Sequence, residues 1–162
     1  MARKPTLPDI RFAPVRRNAL HPVLPMVRRS LLTCRPQYDA RQCRAIVRLL
    51  AQGWRRDGHP RGRTLAWAGN RVVGLSQGWG FRLHWLFVDP EFMGRGLGGA
   101  LAGHAIRHAR EGLTADVAVS SGLNAEGFYR RLGFVRHEGL GEVTYGRVAL
   151  PVVHMLLPGS GG

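Results

Sequence analysis

Residues 81–110 limit what this chain can fold into more than any other stretch. Phe81–Val88 is a mostly apolar run with the aromatic and β-branched content of a central strand, and it stops at Asp89-Pro90. Glycines crowd the next stretch, Met93-Gly94-Arg95-Gly96-Leu97-Gly98-Gly99, after which Leu97, Leu101, Ala105 and Ala109 recur every four residues. That recurrence predicts a helix with one apolar face, ended at Gly112. A helix start offers backbone N–H groups without intrahelical partners and a partial positive charge. Glycines, having no Cβ, let an anion approach that backbone, so the loop suits phosphate, with Arg95 adding charge. A glycine turn that only lets helix and sheet pack closely has the same composition, and the loop alone leaves both readings open.

Two common phosphate loops do not fit. A P-loop needs Lys then Ser or Thr after its last glycine, and here Gly99 is followed by Ala100. The spacing Gly94-x-Gly96-x-Gly98 is not the GxGxxG of a dinucleotide fold, and Asp116 falls near the start of its predicted strand rather than the end.

The flanking sequence predicts an α/β domain over residues 30–157. Leu31–Cys34 is a short apolar run suited to a first strand. Asp39 and Gln42 resemble a capping box, and Cys43, Ile46, Val47, Leu50 and Trp54 follow at helical spacing. Thr64–Ala68 and Arg71–Ser76 are strands joined by Gly69-Asn70, with a further turn at Gly78–Gly80. Thr114–Ser120 alternates as a strand, and Asn124 is placed to cap a short helix through Leu132. Phe134–His137 and Val148–Leu157 complete the order β-α-β-β-β-α-β-α-β-β. Residues 1–29 carry five prolines and seven basic residues against Asp9 alone, which predicts a passive basic extension without regular structure. Residues 158–162 are expected to be a flexible tail.

Composition narrows the partners. With 24 Lys+Arg against 10 Asp+Glu the formal charge is +14, a field that attracts anions such as phosphorylated cofactors or nucleic acid. The arginines are scattered rather than clustered, which argues against nucleic acid as the partner. No apolar run approaches the roughly 18 residues of a membrane-spanning helix. Cys34 and Cys43 lie nine apart, outside any zinc or disulfide pattern, and fit a reducing, cytoplasmic compartment. His104 and His108, one helical turn apart, have no third ligand in sight, so no metal is expected.

The spacing around the glycine loop resembles a known family. Leu86-Phe87-Val88-Asp89-Pro90-Glu91-Phe92-Met93-Gly94-Arg95-Gly96-Leu97-Gly98 is similar to motif A of the GCN5-related N-acetyltransferases. Asn124–Phe134, with its Phe-Tyr and Gly-Phe pairs, is similar to motif B, and His154-Met155 to the usual final strand. The resemblance implies a bacterial, acetyl-CoA-dependent N-acetyltransferase with a mixed, mostly antiparallel sheet whose central strands splay. It further implies that pantetheine pairs with the backbone of Leu86, Phe87 and Val88. The loop Met93, Gly94, Arg95, Gly96, Leu97, Gly98 and Gly99 would hold the pyrophosphate, and Asn124 and Arg131 would touch the cofactor. Tyr129 stands where the family's general acid stands, able to protonate the departing thiolate. Met93 departs from the pattern, since a thioether cannot donate to phosphate where the family has Arg or Gln.

A general base needs a pKa near neutrality, which points to His84 on the central strand, with Glu142 as a weaker candidate. The acceptor amine, of a small molecule or a peptide, is not legible, and monomer and homodimer both stay open. Acceptor-lining loops are expected around Arg55–Pro60, Gly78–Arg82 and Gly139–Gly146. Two other readings remain: a silent acetyl-CoA-binding sensor, and a basic RNA- or ribosome-associated module on the same fold.

Overall fold

The structure, a computed structural model, describes residues 7–15, 19–56 and 61–159. Among these, seven strands form one sheet: β1 (Ile10–Pro14), β2 (Arg63–Ala68), β3 (Arg71–Trp79), β4 (Arg82–Val88), β5 (Val117–Gly122), β6 (Val135–Tyr145) and β7 (Val148–Leu157). Their order is β1-β2-β3-β4-β5-β7-β6, and every neighbouring pair is antiparallel except β4 and β5. Helices α1 (Leu20–Leu32) and α2 (Ala40–Arg56) cover one face, with Val23, Met26, Val27 and Leu50 packed on Leu65 and Leu75. Helices α3 (Leu97–Arg110) and α4 (Glu126–Arg131) cover the other, over Val73, Val117 and Val119. This is the flanked, mostly antiparallel sheet that the sequence predicts.

Local chemistry explains several elements. Asp39 Oδ1 accepts from the Gln42 N–H at 2.8 Å while Gln42 Oε1 accepts from the Asp39 N–H at 2.9 Å, a reciprocal cap that starts α2. Helix α3 lies close on β3 because Gly78 faces it, where a Cβ would run into the carbonyl of Ala105.

The passive extension expected over residues 1–29 is not what its described part does. Residues 10–14 form edge strand β1, paired on β2 from Ile10↔Ala68 to Pro14↔Thr64. Pro14 is tolerated because an edge strand leaves one row of its groups unpaired. Residues 20–32 form α1 in spite of Pro22 and Pro25. Pro22 sits in the first turn, where its missing N–H costs nothing. Pro25 forfeits one bond, offset by burial of Val23, Met26, Val27, Ser30 and Leu31 at the spacing of one helix face. The first strand expected at Leu31–Cys34 is therefore the end of α1 and the turn after it. Likewise Gly139–Gly146 is mostly strand β6, paired on β7 up to Tyr145↔Val148. Residues 1–6 and 16–18 of the extension, 57–60 of the basic loop, and 160–162 of the tail lie outside the described residues. Of the rest of that tail, the N–H of Gly159 donates to Asp116 Oδ1 at 2.6 Å and the Pro158 carbonyl accepts from Arg110 at 3.0 Å.

One buried carboxylate ties α1 to the sheet. The Asp89 side chain is fully enclosed; its Oδ2 accepts from Arg29 Nε at 3.0 Å, Arg29 Nη2 at 2.7 Å and Arg71 Nη2 at 2.8 Å. Its Oδ1 accepts from the Glu91 N–H at 3.2 Å, and Glu91 itself pairs with Arg71 at 2.8 Å. Burial works to raise the Asp89 pKa, but the hydrogen bonds from Arg29, Arg71 and the Glu91 backbone prevail and hold it below the usual carboxylate range. A carboxyl with a depressed folded-state pKa stabilises the fold above its unfolded value of about 3.9, and the contribution vanishes as pH falls through the folded value. Urea unfolding should therefore show a loss of stability below about pH 4 in the wild type that Asp89→Asn lacks. Arg29→Met should cost roughly 1–3 kcal/mol at neutral pH, read as a lower urea midpoint with unchanged slope.

Candidate functional site

The sheet opens at its centre. Strands β4 and β5 pair only at Arg82↔Ala118 and Leu83↔Val119, while β4 stays on β3 to Val88 and β5 stays on β7 to Gly122. Beyond Leu83 the facing edges part, leaving backbone N–H and C=O groups of β4 directed into a gap. A bulge marks the same point: Gln77 pairs with Trp85 and Gly78 with Leu83, so His84 is the extra residue. The bulge shifts the alternation of β4. Leu83, Leu86 and Val88 pack toward α3, and Trp85 and Phe87 toward α1 and α2. A cavity of about 970 Å³ fills the gap and reaches the face of the sheet beneath α1 and α2.

The glycine loop borders one end of this cavity. Asp89 Oδ1 caps the turn at Pro90–Phe92, and Gly96, at φ 82°, precedes α3 in a conformation that favours glycine. The Ala100 N–H donates to the Gly96 carbonyl at 3.0 Å as the first bond of the helix, which leaves the N–H groups of Leu97, Gly98 and Gly99 pointing out of its end. A Cβ on Gly94 or Gly99 would meet nothing within 4 Å, whereas one on Gly98 would press Phe128 at 3.1 Å. Gly94, Gly96, Gly98, Gly99 and Met93 line the cavity. The side chains of Arg95 and Leu97 do not: Arg95 lies over the Phe92 ring at 5.8 Å, and Leu97 is buried in the core.

The other expected site residues are placed as follows. Leu86, Phe87 and Val88 line the gap from β4. Tyr129 lines it from α4, buried to 5% exposure and edge-on to Phe128 and Phe134 at 5.1 and 5.3 Å. It is the one buried residue of α4, more deeply enclosed than Phe128. Burial drives its pKa well above the ordinary phenol range. His84 lines the cavity, stacked on Trp79 at 4.8 Å with Nε2 3.3 Å from the Trp79 carbonyl. Asn124 does not cap α4, whose cap position is Ala125; its Nδ2 donates to Cys34 Sγ at 3.3 Å, at the cavity wall. Arg131 is exposed at the same wall. Glu142 is exposed on β6 and stays out of the cavity.

Sequence reasoning missed Tyr38, and reached Arg82 only as the end of the Gly78–Arg82 loop expected to line the acceptor site. The Tyr38 hydroxyl donates to the Pro151 carbonyl at 2.6 Å and accepts from the Leu123 N–H at 3.0 Å, pinning the α1–α2 turn to both strands beyond the gap. Nothing local signals those partners, which lie 113 and 85 residues away. Arg82 crosses the base of the gap to Ser120 Oγ at 2.6 Å, and that hydroxyl lies 3.2 Å from His154 Nδ1. A lone cation opening an otherwise apolar strand was the available signal.

Residues 34–153 match the model of the GNAT acetyltransferase domain. An uncharacterized N-acetyltransferase of Methanocaldococcus jannaschii is 42% identical over 59 residues, 35% of this chain and only 26% of that protein. The fold is similar to that of a GCN5-related N-acetyltransferase from Rhodopseudomonas palustris, with a TM-score of 0.79 at 18% identity over 91% of this chain and 94% of that one. It is also similar to the PaiA N-acetyltransferase of Thermoplasma acidophilum, solved in complex with coenzyme A, with a TM-score of 0.67 at 15% identity over 92% and 98%.

The two ends of the glycine loop should respond oppositely to a methyl group. Gly99→Ala places it in open space on a helix and should raise stability by about 0.5–1 kcal/mol. Gly96→Ala forces a left-handed alanine, at a cost of roughly 1–2 kcal/mol, and meets Leu7 at 3.1 Å. Calorimetric melting of the two variants reads both signs.

Proposed function

This chain belongs to the GNAT acetyltransferase family, and from that premise we propose that it transfers an acetyl group from acetyl-CoA to a primary amine of a small molecule or peptide. The parted edges of β4 and β5, meeting a helix start whose N–H groups are turned outward, carry this reading. A chain of amides can pair with the free edge of β4, and a pyrophosphate suits the end of α3. The open space beside Gly94 and Gly99 is what such a phosphate needs.

When bound, acetyl-CoA supplies an activated thioester whose carbonyl carbon accepts an amine directly, without an acyl-enzyme. The protein's part is to hold and polarise. A backbone N–H on the free edge of β4 donates toward the carbonyl oxygen, a stabilisation that costs no reorganisation at the moment of reaction. Tyr129, lining the cavity from α4, would offer its hydroxyl proton to the departing sulfur as the C–N bond forms and the C–S bond breaks. Burial keeps that phenol protonated through the whole neutral and mildly alkaline range. The proton of the amine leaves to His84 on the bulge, the one histidine among the described residues that lines the cavity. Met93, half exposed beside Gly94, supplies no donor for phosphate, so the backbone of Gly94–Gly99 carries that contact. The cysteines Cys34 and Cys43 are free thiols, in keeping with a reducing cytoplasm.

Acetyl-CoA should raise the melting temperature of the wild type. Gly99→Leu, whose Cβ would meet nothing within 4 Å and whose side chain occupies the phosphate's space, should abolish that rise while the protein stays folded. Binding without turnover of any amine would favour the sensor reading instead. Tyr129→Phe removes only a hydroxyl: acetyl-CoA affinity should hold while kcat falls on the order of 10²-fold. Because the Tyr129 pKa lies above its ordinary value of about 10, the wild-type rate should show no alkaline limb near pH 10 from this group. A Phe variant with full turnover at every pH would remove Tyr129 from the chemistry.

A further inference from the structure

Among the described residues, the wall of the cavity beneath α1 and α2 carries cations and aromatic rings and no acid. Arg63, Arg82 and Arg131 line the cavity; among the described residues no Asp or Glu does. Arg82 stands where β4 and β5 part, two residues before the His84 bulge. Its bonded partner is the neutral hydroxyl of Ser120 at 2.6 Å, which accepts from the guanidinium and is free to donate to His154 Nδ1 at 3.2 Å. No carboxylate among the described residues pairs with Arg82, so its charge acts on the cavity, and its field reaches the ring of Tyr145. Next to it lie the stacked pair Trp79–His84 and the stacked pair Trp85–Phe87, centroids 4.8 and 5.7 Å apart.

Such a wall repels a polycation. It attracts a small anion to Arg82, and it offers flat apolar surface to a side group. A guanidinium whose one side-chain bond among the described residues, from Nη2, goes to a neutral hydroxyl keeps donors for a carboxylate. A positive field also favours the uncharged form of a nearby amine, which is the form that attacks a thioester. Resting on the acetyltransferase reading above, we propose that the acceptor is an amine whose molecule also carries a carboxylate and an apolar side group, an amino acid being the simplest case, with Arg82 holding the carboxylate. The structure thereby separates this protein from acetyltransferases of polyamines and other polycations.

The test compares L-phenylalanine with L-phenylalaninamide, phenethylamine and spermidine as acceptors. It uses the full chain and reads acetyl-CoA consumption, together with calorimetric binding of acetyl-CoA and, with CoA present, of N-acetyl-L-phenylalanine. The carboxylate should favour L-phenylalanine over its amide and phenethylamine by roughly 10- to 100-fold in kcat/KM, the range of one charge-assisted hydrogen bond. This is expected although the amide's amine is the less basic and the more available. Arg82→Met should erase that preference and Arg82→Lys should keep part of it, with unchanged acetyl-CoA affinity showing that both variants are folded. Equal or better turnover of phenethylamine or spermidine overturns the proposal. So does a carboxylate preference that survives Arg82→Met, or a protein that binds acetyl-CoA but neither turns over L-phenylalanine nor binds its N-acetyl derivative. Failure to bind acetyl-CoA at all overturns the underlying acetyltransferase reading instead.

Discussion

The enclosed carboxylate of Asp89 is the point from which the rest of the site is set out. It receives Arg29 from α1 and Arg71 from β3, and through the Glu91 N–H it fixes the turn that ends β4. An ion of this kind stabilises only when its lone pairs are satisfied, and here both oxygens are. The consequence is geometric. With the end of β4 held, the glycine loop begins at a defined place, and α3 starts at the border of the cavity. The same contact recruits α1, so the helix that roofs the far side of the cavity and the loop that borders its near side share one anchor.

Which features were legible follows from where their causes lie. Helix α2, the β2–β3 hairpin, the strand–loop–helix unit and α4 were readable because each is specified by neighbours: the Asp39–Gln42 cap, the Gly69-Asn70 turn, the fourfold recurrence of small apolar residues on α3. Strand β1 and helix α1 were not, because local propensity opposes them and distant partners decide. Pro25 alone argues against a helix; the burial of Met26, Val27 and Leu31 on Leu65 and Leu75 outweighs it. Among the cavity-lining residues, glycines such as Gly99 could be found from spacing. Arg82 and Tyr38 could not, since their partners Ser120 and Pro151 come near only after the sheet has formed.

Electrostatics runs through the protein on two scales. The overall excess of arginine attracts anions from a distance, a long-range effect that salt screens within about a Debye length. Within the cavity the absence of lining carboxylates, among the described residues, preserves that bias at short range, where screening is weak. The helix end at Gly99 and the guanidinium at Arg82 thus sit on the two sides of one opening. Each is suited to a different negative group.

The parting of β4 from β5 has a mechanical meaning. Hydrogen bonding makes a sheet one plate, yet here four strands on one side and three on the other share two residue pairs at a corner, reinforced by Arg82 reaching to Ser120 and by the α3 crossover. The molecule is in this respect two leaves with a common spine. On the proposed function, a polyamide lying in the opening would become an extra strand shared by both leaves, so that occupancy would stiffen the whole sheet. How firmly the architecture is stitched would then vary with what the opening holds.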